Sequence, residues 1–190
     1  MNELIHIDKT FSKITYSEKS IRNREFENCV FEGCNFYNTD FAYNQFSDCT
    51  FNNCNLSMTS LNGSGLKTVA FEECKLLGIK FHECNDFLFA VTFTDCTMDY
   101  ASFTNKKMPK TIFRNCSVQE VNFSGTDLTK AVFDNANLLR AIFDETTLTE
   151  ADFSTAYNFT IDPERNTVRK AKFATKDLAG LLEKYDLKIQ

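Results

Sequence analysis

Phe26-Glu-Asn-Cys-Val-Phe31-Glu-Gly-Cys-Asn-Phe36-Tyr-Asn-Thr-Asp-Phe41-Ala-Tyr-Asn-Gln-Phe46-Ser-Asp-Cys-Thr-Phe51 places an aromatic ring at every fifth residue. The beat continues through Leu56, Leu61, Leu66, Phe71, Leu76 and Phe81, slips by two, and resumes from Leu88 through Phe93, Met98 and Phe103 to Phe153. An α-helix repeats every 3.6 residues and a strand every 2, so neither produces a five. A fixed internal period of this kind marks a repeat architecture. Two residues before most centres stands a small one: Cys29, Cys34, Cys49, Cys54, Cys74, Cys96 and Cys116, then Ala131, Ala136, Ala141 and Ala151.

A longer period gives the shape. Every fourth unit, allowing for the two-residue slip, is Phe31, Phe51, Phe71, Phe93, Phe113, Phe133 and Phe153, so one residue type fills the whole ladder. Like residues recurring every 20 predict coils of four five-residue sides, stacked one on another. The ladders stay aligned only if the insertion lies between Phe81 and Leu88, which predicts a bulge at 82–87. The expected fold is all-β, a quadrilateral β-helix with one short C-terminal helix.

These units resemble the A(D/N)LXX-like repeat of the pentapeptide-repeat proteins, most clearly at Ala131-Val-Phe-Asp-Asn135, Ala136-Asn-Leu-Leu-Arg140, Ala141-Ile-Phe-Asp-Glu145 and Ala151-Asp-Phe-Ser-Thr155. The resemblance covers residues 22 to 160. It implies a right-handed β-helix with the small residue and the Phe or Leu turned inward. The tail, Asn158-Phe-Thr-Ile-Asp-Pro163, Ala171-Lys-Phe173, Leu181-Leu182 and Leu187-Lys-Ile189, is similar to the end of the Qnr-type quinolone-resistance proteins. In that branch a helix and a short strand join two rods end to end, and the rod is thought to mimic duplex DNA on gyrase and topoisomerase IV. Qnr-type proteins often carry projecting loops; here the bulge is the one departure from the beat, which places the chain with the loop-poor members. Fold alone does not assign function.

One unbroken repeat in 190 residues argues for a single domain. Residues 1–21 lack the beat and read as an N-terminal cap, 22–160 as the β-helix, and 161–190 as a turn, helix and short strand. The rod holds six to seven coils, roughly 30 Å at the inter-strand spacing. Asn62-Gly-Ser-Gly65 reads as two flexible corners. In the tail, Thr175 is the expected N-cap with Asp177 in the first turn. Leu178, Leu181, Leu182 and Tyr185 then form an i, i+3, i+4, i+7 stripe. With Leu187 and Ile189 this stripe is the expected homodimer interface; a cap on the chain's own rod is the other reading.

Composition and motifs argue against catalysis. There is no Gly-rich phosphate loop, G-x-S-x-G or H-E-x-x-H. The eight cysteines lack zinc spacing, and the two histidines are His6 and His82. Reduced core thiols are the expectation, with Cys84 and His82 more exposed in the bulge. No cofactor or metal is expected. The start has no basic region followed by an apolar run, and no stretch is long enough to span a bilayer, so a cytoplasmic protein is expected.

Charge supplies the functional expectation. Glu25, Glu27, Glu32, Asp40 and Asp48 lie in a stretch from 25 to 66 without Lys or Arg. Asp144, Glu145, Glu150 and Asp152 lie in another, from 141 to 164. Lys67, Lys106, Lys107, Lys110, Arg114 and Lys130 make the middle mixed. A net charge of −5 disfavours nucleic acid as partner and favours a basic protein surface. The resemblance names that surface as a type II topoisomerase; a scaffold for an unrelated protein is the alternative.

Overall fold

The structure, a computed structural model, describes residues 4–188. Two parallel sheets run along the rod. One contains β1 (Ile5–Ile7), β3 (Glu25–Glu27), β5 (Gln45–Ser47) and β7 (Gly65–Lys67), neighbours in that order. The other is nine-stranded: β2 (Thr10–Ser12), β4 (Val30–Glu32), β6 (Thr50–Asn52), β8 (Val69–Glu72), β9 (Val91–Thr94), β10 (Ile112–Arg114), β11 (Val132–Asp134), β12 (Asp152–Phe153) and β13 (Lys172–Phe173). The other two faces are held by isolated parallel bridges such as Asn35 to Asn55 and Ser102 to Asn122. The chain is a parallel β-solenoid.

The ladder that defines it runs from Phe11 to Phe173, longer at its N-terminal end than the repeat predicts; at the other end Phe173 keeps the twenty-residue step from Phe153. Phe11 pairs with Phe31 and Phe153 with Phe173. Successive rings stack nearly parallel, with centroids between 4.4 and 5.4 Å apart. A second ladder, Phe81, Phe103, Phe123 and Phe143, meets the first edge-on, as where Phe103 and Phe93 lie 5.9 Å apart at 73°. Both arrangements suit the ring quadrupole, and each buried ring contributes about 1.5–3 kcal/mol of transfer free energy. Eight steps across nine strands give a rod of roughly 38 Å.

The small inward residue has a hydrogen-bonding duty as well as a size. Cys54 Sγ donates to the Phe31 carbonyl 23 residues earlier at 3.3 Å and accepts from the Cys34 N–H at 3.3 Å. Thr126 donates to Phe103 O at 2.8 Å, Asn166 to Phe143 O at 3.0 Å and Ser64 to Phe41 O at 2.7 Å in the same way. A thiol, hydroxyl or amide here gives a hydrogen bond to the carbonyl of the inward Phe one coil earlier. Many corners need positive φ, which Asn and Asp tolerate best among residues with a side chain; Asn28, Asn53, Asn115 and Asp95 occupy such corners at φ 50 to 55.

Four expectations are corrected here. The segment 1–21 is not a beatless cap: from residue 4 it forms a coil in register, with His6, Phe11, Tyr16 and Ile21 five apart and His6 stacked 4.9 Å from Phe26. His6 and Tyr16 are not members of the Phe/Leu set, so the beat was hidden by residue type. Gly65 is not a corner; it lies buried in β7, where the Gln45 side chain would sit 2.1 Å from a Cβ. Only Gly63, at φ +65 beneath the Tyr43 ring, turns a corner. Within the bulge, Leu88 is turned out at φ 56 and Phe89 takes the inward place.

The tail is the fourth. The expected short helix is present but of 3₁₀ type, as Thr175–Leu181 followed by Glu183–Tyr185, and it is entered through extended Ala174 with no side-chain cap from Thr175. Gly180 sets their position, since its carbonyl accepts from Ile161 N at 3.0 Å and a Cβ would lie 2.2 Å from Phe159 O. Leu181 therefore packs on the rod's own core. Leu187 and Lys188 form no strand, and Ile189 lies outside the described residues.

Candidate interaction surface

Among the described residues no cluster of three His, Cys, Asp or Glu side chains is arranged to hold a metal ion. All eight cysteines are free and buried. Burial pushes the Cys49 thiol up to about 12, and likewise that of Cys84. Cys84 is thus not an exposed bulge residue; it fills the small inward position, while His82 beside it is exposed. Chemistry is left to the outer surface, which differs along the rod in three regions.

The first is acidic. Glu25 and Glu27 flank Phe26 on one face, with Asp48 at the next coil's corner. Glu32 and Glu72 occupy the same column of the adjacent nine-stranded face two coils apart, with Glu73 at its corner. Among the described residues none of these six carboxylates has a Lys or Arg partner.

The second acidic stretch is different, because the outward neighbour of a residue is the one 20 away. Asp144 meets Arg165 at 2.5 Å, Asp152 meets Lys172 at 3.1 Å and Glu150 meets Lys130 at 3.5 Å. The guanidinium of Arg165 holds the Asp144 carboxyl below its usual range. Glu145 has no cation within ion-pair reach among the described residues, though it adds to the field on Arg165. Near the other end Asp40 is likewise bound by Arg22. The expected pair of acidic ends is corrected to one open acidic region, near the N-terminal end.

The third region is the bulge. Phe81–Glu83 is a 3₁₀ turn, after which the chain arches out before Val91 rejoins the ladder opposite Val69. Lys106, expected on the surface, is only 2% exposed and stands in the small inward column. Its ammonium donates to the Cys84 carbonyl, bonds the Asp86 carboxylate at 2.5 Å and lies 5.0 Å from the Phe89 ring centroid. Position alone reveals this lysine: it stands two before Met108, where Thr126 stands before Leu128. The clamp holds Phe87 and Leu88 outward, 76% and 54% exposed.

At the C-terminal end the expected interface stripe splits. Leu181 is turned in, whereas Leu178, Leu182, Tyr185 and Leu187 are exposed. The Tyr185 hydroxyl donates to Glu164 at 2.9 Å, and Lys184 bridges Asp162 at 2.8 Å and Glu164 at 2.6 Å, pinning the tail to the last coil. No described helix is long and apolar enough to cross a membrane.

Known proteins share this architecture. The pentapeptide repeat region matches residues 24–103, and pentapeptide repeats in eight copies match 88–129 and 116–155. No curated protein matches significantly. The chain is similar to a trypsin-treated variant of QnrB1, described as a plasmid-mediated fluoroquinolone resistance protein, at 14% identity over 95% of this chain and 100% of that one, TM-score 0.65. Full-length QnrB1 aligns at 16% identity over 94% of this chain and 100% of its own, TM-score 0.58. HetL of the cyanobacterium Nostoc sp., a pentapeptide repeat protein involved in heterocyst differentiation regulation, aligns at 15% identity over 90% of this chain and 88% of its own, TM-score 0.63. These likenesses concern the path of the backbone. With the five-residue beat, the stacked ladders and family matches that together run from 24 to 155, the chain belongs to the pentapeptide-repeat family.

Proposed function

We propose that the rod acts by binding rather than catalysis, and that its partner is the DNA-binding surface of a cytoplasmic type II topoisomerase, gyrase or topoisomerase IV. The observation that carries this reading is the open acidic region: Glu25, Glu27, Glu32, Asp48, Glu72 and Glu73 reach solvent and, among the described residues, have no Lys or Arg partner. Carboxylates spaced by coils along a stiff rod suit a groove built for phosphates, and their field steers encounter with it. The likeness to QnrB1 over its whole length and the Qnr-like tail support the same partner.

In this reading two rods meet at their C-terminal ends, with Leu178, Leu182 and Leu187 as the apolar seam. The open acidic regions then lie at the outer tips. Gyrase supercoiling with and without a quinolone tests the proposal: the protein lowers supercoiling or restores it against the drug, and the effect weakens as salt rises. No effect at stoichiometric excess and low salt removes it. A second reading, a scaffold for another protein, is favoured by the cation-paired carboxylates of the C-terminal half, which leave no continuous acidic track.

A further inference from the structure

The bulge breaks one face of the solenoid and opens a groove beside it. The four-stranded sheet ends at β7, and the bridges of that face resume only at Lys107 with Asp127. Between them lies a groove of about 440 Å³ whose walls include Val69, Ala70, Leu88, Phe89, Pro109 and Lys110. Its lining is mostly apolar, and its shape is fixed from beneath by the Lys106 clamp on Cys84, Asp86 and Phe89.

The rim of this groove is basic. Lys110 lines it, Lys107 adjoins Met108 in its wall and Lys67 adjoins Thr68. All three are exposed, and among the described residues none has a carboxylate partner. Asp127, the bridge partner of Lys107 on the next coil, is turned to its own corner, where it accepts from Thr129 N at 2.9 Å and Thr129 Oγ1 at 2.6 Å. Asp86 is engaged by Lys106. An apolar slot rimmed by unpaired ammonium groups is complementary to a bulky apolar side chain flanked by carboxylates.

We propose that this groove is a docking site for a short acidic and apolar peptide segment of a partner protein. One Leu-, Ile- or Phe-like side chain enters between Leu88 and Pro109, and neighbouring Asp or Glu residues meet Lys107 and Lys110. The groove adjoins Glu72 of the open acidic region on β8, but its own rim is of opposite charge, and the proposal stands whether or not the topoisomerase reading does.

Selection of a phage-displayed random peptide library on the intact protein tests it, followed by fluorescence anisotropy with the enriched peptide. The expected result is enrichment of sequences with a bulky apolar residue within a few positions of two or more acids. Their affinity falls at least about tenfold with Lys110→Glu, as loss of an interfacial charge pair does, and similarly with Leu88→Asn. It also falls with added salt. Both positions are exposed with positive φ, and neither supports the core. No enrichment, enrichment of basic sequences, binding indifferent to both substitutions, or capture of dodecanoate in place of any peptide overturns the proposal.

Discussion

Lys106 Nζ lies 2.5 Å from the Asp86 carboxylate, yet the lysine is 2% exposed and the aspartate 80%. The pair is therefore lopsided: the carboxylate remains in water, and the buried ammonium relies on the Cys84 carbonyl and the Phe89 ring for the rest of its company. Lys106→Met leaves that carbonyl unsatisfied and is expected to cost about 1–3 kcal/mol. Asp86→Asn, at an exposed partner, costs under about 1 kcal/mol. Urea midpoints read both, and hydrogen exchange should locate the loosening at 84–90. Equal midpoints for Lys106→Met and wild type would show that the lysine is not what holds the bulge.

Phe113 sits between Phe93 and Phe133 with ring centroids at 5.3 and 4.8 Å. Phe113→Ala should cost about 3–5 kcal/mol through lost burial and a cavity. The control is Thr92→Ala, an exposed strand position, expected within about 0.5 kcal/mol. Asn115 is unsuited to that role, since it bonds Asp95 and Asn135 at 3.0 Å each and occupies a corner at φ 52.

Acid should loosen the tail before the rod. Lys184 holds the Asp162 and Glu164 carboxyls below their ordinary values of 3.8 and 4.5, with Tyr185 adding to the effect on Glu164. Groups with depressed folded values stabilise above the ordinary value and lose that contribution as pH falls through the folded one. Hydrogen exchange from pH 6 downward should therefore show residues 175–186 opening once the pH passes below 4.5, while the Phe ladder stays protected. Simultaneous opening of tail and ladder contradicts this.

The proposed seam is tested at Leu182, which is exposed and outside the core, rather than at Leu181, which the rod needs for its own end. Leu182→Asp should convert a dimer to a monomer in sedimentation without lowering the urea midpoint of the rod, because an unpaired carboxylate is costly in an apolar interface. A wild-type chain that sediments as a monomer at micromolar concentration defeats the seam.

Most of the rod was legible because its period is carried by residue type: a Phe every 20 positions needs no structural context to be seen. The first coil was not, since His6 and Tyr16 keep the beat with other side chains. The tail was legible in its short helix but not in the helix type. Leu178, Leu181, Leu182 and Tyr185 have helical spacing, but Gly180 must touch Phe159, and that contact fixes a tighter 3₁₀ path with Leu181 alone turned in. Surface charge was the least legible, because a run of acids in sequence is spread over four faces. Asp152 finds its cation in Lys172, 20 residues away, while Ser154 two residues on donates to its other oxygen.

The hydrogen bond that inward polar side chains such as Thr126 and Thr146 make to the coil before has a consequence for how such a rod changes length. Thr126 and Thr146 make the same bond to Phe103 and Phe123, so a twenty-residue cassette inserted between them would find every partner waiting. Duplication or loss of whole coils leaves the joints intact and alters only the reach of the rod. The coil at 84–106 is the exception. Its arch and its lysine form a lock and key within one cassette, and a cut between Cys84 and Lys106 would separate them.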